Sequence, residues 1–136
     1  MVRVLPLVWE SKKIRIVVKS TLAAETLAVS EALDASYYLS TILTELIFGI
    51  SNSCKIPNFC YVDNHSLFEN VHSTKNINEK RLGIDLASIK EMVQKGNVTL
   101  KWVDSRNQVA DCFTKRGVNT QPLCEILSSG RILYNN

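Results

Sequence analysis

One long stretch of helical periodicity, Thr21–Phe48, constrains the fold of this 136-residue chain more than any other feature. Ser20 and Thr21 stand at its start as candidate N-caps, and Gly49 follows it as a stop signal. Its apolar residues recur at helical spacing, and they are Leu22, Val29, Leu33, Leu39, Ile42, Leu43 and Leu46. The pattern predicts a single long helix whose apolar face must be covered by other elements.

The other elements alternate between strand and helix patterns. Two β-rich runs, at 2–9 and 14–18, flank a polar turn and predict a hairpin or a strand with an extended connector. Later strands are predicted at 58–62 and 98–103. The polar run after Val62 predicts a short helix, and longer helical patterns follow at 78–95, 109–115 and 122–129. This alternation predicts an α/β architecture.

Composition favours one soluble domain. The chain is 46% hydrophobic and 21% charged, its net charge is +3, and no repeat or Gly/Ser/Pro-rich linker divides it. We therefore expect a single domain over 1–136, with 118–136 as a C-terminal helix and tail. Four cysteines without a C-x-x-C pair predict reduced thiols in an intracellular protein. We expect no secretory segment, no membrane segment and no small-molecule cofactor.

Three carboxylates stand out by position. Glu25 falls on the apolar stripe of the long helix, where an ionised group must be paired, metal-bound or shifted in pKa. Asp63 ends a strand, where open α/β sheets place their ligand-binding groups. Asp111 follows the final strand on a helix. Each also has an ordinary interpretation: a surface Glu at the edge of the stripe, an Asx turn or cap, and a helix-dipole complement. Together they indicate a divalent cation site.

The segments around these acids resemble the ribonuclease H domain of copia-type LTR retrotransposon polyproteins. Residues 20–32, S-T-L-A-A-E-T-L-A-V-S-E-A, resemble that family's S-T-x-A-E-x-x-A-L-S-E-A helix. Residues 61–66, Y-V-D-N-H-S, resemble its C-D-N-Q-S strand end. The K-W-V at 101–103 and Q-V-A-D-C-F-T-K at 108–115 resemble its K-Y-V and Q-x-A-D-x-L-T-K segments. Residues 8–13, V-W-E-S-K-K, are similar to its I-S-W-x-S-K-K strand and turn.

The resemblance implies a ribonuclease H-like fold and a site of four acids that holds two Mg²⁺ ions, with Mn²⁺ as a substitute. Glu25, Asp63 and Asp111 would supply three of the acids. Two such metals activate a water and stabilise the leaving oxygen in phosphodiester hydrolysis. The implied substrate is the RNA strand of an RNA:DNA hybrid, and the implied partner is the reverse transcriptase portion of a polyprotein. The implied location is the cytoplasm, in a virus-like particle, or the nucleus.

The chain departs from this family at its start. The family's domain opens with a strand that carries the first acid, in a D-A-D-W-A-like motif, and then a second strand. Here eight residues precede Trp9 and none is acidic. We therefore expect an incomplete, N-terminally truncated fold without the first two strands, with open sheet edges and impaired hydrolysis. Glu10 belongs to the turn and is a poor substitute. The 104–107 loop also lacks the histidine of many ribonucleases H.

Two other functions are open at this point. The chain could be a non-catalytic nucleic-acid-binding or scaffold remnant, with Asn64, Ser66 and basic side chains contacting nucleic acid. The basic candidates, which could equally form an ordinary solvated surface, are Lys12, Lys13, Lys75, Lys80, Arg81, Arg106 and Lys115. Alternatively, Asp63 and Lys101 could hold Mg²⁺ and a phosphoryl group in a signalling domain. His65 and His72 are interpreted as surface or turn histidines.

Overall fold

The computed structural model describes residues 4–50, 54–74 and 77–132. The chain forms two compact units. The larger is Ile16–Trp102, and the smaller combines Met1–Arg15 with Val103–Asn136. That the two units belong to one domain stays a prediction.

Helix α1, Thr21–Phe48, opens the larger unit and confirms the predicted long helix. The Ser20 hydroxyl accepts a hydrogen bond from the backbone N–H of Ala23 at 3.1 Å, so it caps one of the unpaired donors of the first turn. The helix ends at Gly49, whose φ of 81° is a conformation that side chains other than glycine rarely adopt. Both ends are therefore fixed by residues that a sequence pattern can recognise.

A two-stranded parallel sheet follows α1 in the described residues. Strand β1 is Phe59–Val62 and strand β2 is Thr99–Trp102, with Val62 paired to Trp102. Two helices connect them: α2, His65–His72, and α3, Lys80–Gln94. A crossover of this kind is what parallel strands require. The structure is thus mixed α/β as predicted, while the ribonuclease H-like fold stays a prediction.

The core of the larger unit lies where the helices meet the sheet. Leu33 of α1, Leu67 of α2 and Ile89 of α3 are almost completely buried. The sheet adds Val62 and Leu100 to the same cluster. Alternation along β2 agrees with this, except at its last residue, because Leu100 is buried whereas Trp102 is 47% exposed.

The described residues of the smaller unit, 4–15 and 103–132, contain three short helices. A 3₁₀ helix spans Ser105–Asn107, α4 spans Asp111–Thr114, and α5 spans Gln121–Ser129. The prediction of α5 from its Pro122 start is confirmed. The predicted 109–115 helix is wrong in its length, because α4 has one turn only. Four-residue hydrogen-bonded turns, such as the one closed by the Cys112 N–H and the Val109 carbonyl at 3.1 Å, lead into it.

The prediction of strands at 2–9 and 14–18 is wrong for the described residues 4–18, which contain no strand. The large apolar side chains of Leu5, Leu7 and Trp9 are exposed. β-propensity mainly reflects packing on a sheet surface, so a run that packs against no sheet gains little from it. Residues 1–3 lie outside the described part of the chain.

Two further expectations concern thiols and membranes. Cys54, Cys60, Cys112 and Cys124 are all free, as predicted. In the part of the chain that the structure describes, no helix combines the length and the apolar character that crossing a bilayer requires.

Candidate functional site

Asp63 lies at the carboxyl edge of the sheet, as the sequence predicts. It follows the buried Val62 directly, and its side chain is partly buried. Asn64 comes next and caps α2, because its Oδ1 accepts a hydrogen bond from the backbone N–H of Leu67 at 3.0 Å. In open α/β sheets, ligands bind beyond the carboxyl ends of the strands. The cap therefore fixes the chain direction immediately after a carboxylate in that position.

Two aromatic side chains adjoin Asp63. The Trp102 indole N–H donates a hydrogen bond to the Asp63 backbone carbonyl at 3.2 Å. The His65 ring meets the Trp102 ring nearly perpendicularly, with 6.0 Å between centroids. His65 Nδ1 also lies 3.5 Å from a Glu69 carboxylate oxygen. The last residue of β2 is therefore tied to the residue that follows β1.

Glu25 lies near the start of α1, and its side chain is half-buried, in agreement with a position at the border of the apolar stripe. Two interactions set the direction of α1 relative to β1. The Thr44 hydroxyl accepts from the backbone N–H of Lys55 at 3.2 Å, and the Ser36 hydroxyl donates to the Asn58 side-chain oxygen at 2.7 Å. Ser36 comes before Thr44 in the helix, whereas its partner Asn58 comes after Lys55, the partner of Thr44. The helix and β1 thus run in opposite directions.

This direction has a consequence for the two acids. Glu25 precedes Ser36 by eleven residues, which an α-helix covers in about 16 Å. Asp63 follows Asn58 by five residues, which an extended chain also covers in about 16 Å. Starting from the Ser36–Asn58 hydrogen bond, regular geometry therefore brings Glu25 and Asp63 to a similar level at the carboxyl edge of the sheet.

Asp111 belongs to the smaller unit. It is the first residue of α4, and its side chain is 17% exposed. Its carboxylate forms an ion pair with Lys115, one helical turn later, at 2.8 Å. That arrangement agrees with the ordinary interpretation of Asp111 as an acid at a helix start. Its convergence with Glu25 and Asp63 stays a prediction.

The donor chemistry of the larger unit suits a hard cation. Carboxylate oxygens are the protein ligands that Mg²⁺ prefers, and Mg²⁺ is commonly held by one or two carboxylates together with water and substrate phosphates. Among the residues described here, no three His, Cys, Asp or Glu side chains form a group that could hold a metal. Glu25 and Asp63 are the two predicted site carboxylates that belong to the larger unit.

Several predicted nucleic-acid contacts are engaged elsewhere. Lys12 pairs with Glu10 at 3.3 Å. Arg106 binds Asp104 through Nε at 2.9 Å and through Nη2 at 3.0 Å. These hydrogen bonds, with the Arg106 backbone N–H, lower the pKa of Asp104 to about 2. Such neutralised cations contribute less to phosphate binding than isolated ones.

The remaining candidates divide by location. Asn64 serves as the α2 cap, and Lys115 pairs with Asp111. Lys75 lies outside the described residues. The side chains of Lys13, Ser66, Lys80 and Arg81 are exposed, and their contact with nucleic acid stays a prediction.

The position of Lys101 argues against the phosphoryl-transfer alternative. The Lys101 ammonium lies over the Phe59 ring, 5.0 Å from its centroid. Phe59 begins β1 and Asp63 follows its end, so the two are about 13 Å apart along an extended chain. Lys101 is therefore directed toward the opposite end of the strand from Asp63.

The sequence pattern assigned no site role to Trp102, and it favoured a surface or turn position for His65. The sequence did contain a signal for Trp102. This tryptophan comes two residues after the buried Leu100 and ends the strand, so it lies at the edge of the sheet. Nothing in the sequence pairs that indole with Asp63, since the two are 39 positions apart.

Comparisons with known proteins find similarity to retrotransposon polyproteins. No family model matches the chain, and no solved structure matches it. The retrovirus-related Pol polyproteins from transposons RE1 and RE2 of Arabidopsis thaliana are each 29% identical to it over 111 residues. This similarity supports a retrotransposon Pol-derived region. The match covers 81% of this chain but 7% of each polyprotein, so the chain spans a small part of the relatives it matches.

Proposed function

We propose that this chain is the ribonuclease H-like region of a retrotransposon Pol polyprotein, and that its ancestral reaction is metal-dependent hydrolysis of the RNA strand of an RNA:DNA hybrid. The observation that carries the proposal is that α1 and β1 run in opposite directions. Regular helix and strand geometry then predicts similar levels for Glu25 and Asp63 at the sheet's carboxyl edge. The similarity to Pol polyproteins supports it independently.

In this proposal, Glu25 and Asp63 hold the divalent cation, and Asp111 is a further acid that the resemblance implies. When bound, Mg²⁺ supplies positive charge at the scissile phosphate and lowers the pKa of a bound water. The chain's own residues do the positioning. Asn64 caps α2 directly after Asp63, and both acids are partly buried.

The non-catalytic binding alternative receives less support. Its basic residues include Lys12 and Arg106, which are paired with acids in the structure. An acid-paired, exposed cation is typical of an ordinary solvated surface. Nucleic-acid binding without hydrolysis is therefore treated as an outcome of the test.

The test uses a fluorescent RNA:DNA hybrid with Mg²⁺. The 136-residue chain is expected to leave the hybrid essentially uncut, because the resemblance implies an acid before Trp9 and none of residues 1–8 is acidic. A version extended by the family's two opening strands, with their acid, is expected to cleave it. Asp63→Asn in the extended version is expected to abolish cleavage.

The matched control is Asp34→Asn, which changes an exposed acid of α1 in the same way. It is expected to leave cleavage by the extended version unchanged. Robust cleavage by the 136-residue chain would overturn the expectation of impaired hydrolysis. Hybrid binding by an extended version that cleaves nothing would favour the binding module instead.

A further inference from the structure

The Trp102 side chain is an exposed aromatic surface fixed beside a proposed metal ligand. It ends β2 with 47% of its surface exposed, although Val62, its partner in the sheet register, is buried. Trp102 does not belong to the core cluster, and almost half of its surface is open to a ligand. Its position at the carboxyl edge of the sheet is the position of a ligand-contacting residue.

The indole is held in one orientation. Its N–H donates to the Asp63 backbone carbonyl at 3.2 Å, and the His65 ring packs against it at a steep angle. A tryptophan with a satisfied N–H and a supporting ring loses little freedom when a flat group stacks on it. These contacts favour stacking over hydrogen bonding as the mode of ligand recognition.

A nucleobase is the flat group that the proposed function brings to this edge. Bases inside a duplex are stacked on each other and do not present their faces, whereas unpaired bases stack on aromatic side chains. We propose that Trp102, supported by His65, stacks with an unpaired nucleobase of the RNA strand adjoining the hybrid.

The inference rests on the proposed function in one respect. Asp63, whose backbone carbonyl accepts from the indole, and Glu69, which pairs with His65, carry carboxylates that repel phosphates, and a divalent cation held at Asp63 would offset that repulsion. Base stacking at Trp102 is therefore expected to require Mg²⁺. Trp102 thus adds contact with unpaired RNA to a site that is otherwise proposed only for hydrolysis.

The experiment uses the full chain, whose only tryptophans are Trp9 and Trp102. In Trp9→Phe, all tryptophan fluorescence comes from Trp102. Titration with an RNA:DNA hybrid that carries an unpaired RNA tail, in Mg²⁺, is expected to quench this fluorescence, whereas the blunt hybrid binds with little quenching. Trp102→Ala is expected to raise the Kd for the tailed hybrid about tenfold.

Two variants separate stacking from a structural role. Trp102→Phe keeps an aromatic face but lacks the N–H donor, so it is expected to restore most of the binding that Trp102→Ala loses. Trp9→Ala, at a tryptophan that is 67% exposed, is expected to bind the tailed hybrid normally. Equal losses in Trp102→Phe and Trp102→Ala would assign Trp102 to the hydrogen bond with Asp63 and overturn the stacking proposal.

The hybrids also separate this inference from the proposed function. Normal binding of blunt and tailed hybrids by Trp102→Ala would overturn the inference and leave the proposed function standing. Binding of neither hybrid by the unchanged chain would overturn both. Loss of the tail's advantage in Trp102→Ala, with no cleavage by the extended version, would support the inference and contradict hydrolysis.

Discussion

Two leucines of α1 test how the long helix is held to the rest of the larger unit. Leu33 is 1% exposed and belongs to the core cluster, whereas Leu46 is 76% exposed on the same helix. Replacing either by alanine makes the same small change in helix propensity. The two substitutions therefore differ almost entirely in what they remove from the core.

Leu33→Ala is expected to lower the free energy of unfolding by about 3 kcal/mol, because it removes buried methyl groups and leaves a cavity. Leu46→Ala is expected to change it by less than about 0.5 kcal/mol. With an m-value of about 1.5 kcal/mol/M, the urea midpoint of Leu33→Ala falls by about 2 M. The measurement is urea denaturation followed by helical circular dichroism. Equal midpoints for the two variants would refute the assignment of Leu33 to the core.

Three further predictions concern single side chains. Burial raises the pKa of the Cys60 thiol to about 11, so iodoacetamide at pH 8 should alkylate the exposed Cys124 well before Cys60, and urea should remove the difference. Asn64→Ala should destabilise α2 by about 1 kcal/mol and speed amide exchange there, while Asn64→Ser should not. Because the Asp104 pKa is lowered to about 2, its stabilising contact with Arg106 is complete above the ordinary carboxyl pKa and is lost as pH falls toward 2. Arg106→Gln should return the NMR-measured pKa of Asp104 toward 3.8.

Local signals explain which elements could be predicted. Ser20 and Gly49 fix the ends of α1 through a cap and a positive φ, so both bounds follow from the sequence. The 2–9 and 14–18 runs failed because a strand depends on a partner elsewhere in the chain, and propensity does not supply one. The predicted length of α4 was wrong for a related reason. A helical pattern does not reveal where hydrogen-bonded turns replace the helix.

The positions of the candidate site residues could likewise be predicted where they depend on local sequence patterns. Asp63 is at a strand end because the strand pattern before it is clear. Helical spacing predicts Glu25 on the apolar stripe, and its half-buried side chain lies between that prediction and the alternative of a surface Glu at the edge of the stripe. The Asp111–Lys115 ion pair could also have been expected from its four-residue spacing. The contact between Trp102 and Asp63 could not, because it joins two strand ends through a register that only the folded sheet defines.

Divalent cation binding tests the central claim, that Glu25 and Asp63 together form a cation site, most directly. Mn²⁺ binding to the full chain, measured by calorimetry, should be lost in both Glu25→Gln and Asp63→Asn and kept in Asp34→Asn. Circular dichroism should show that all three variants retain their helices. Unchanged Mn²⁺ binding in Glu25→Gln and Asp63→Asn, or equal loss in Asp34→Asn, would contradict the account.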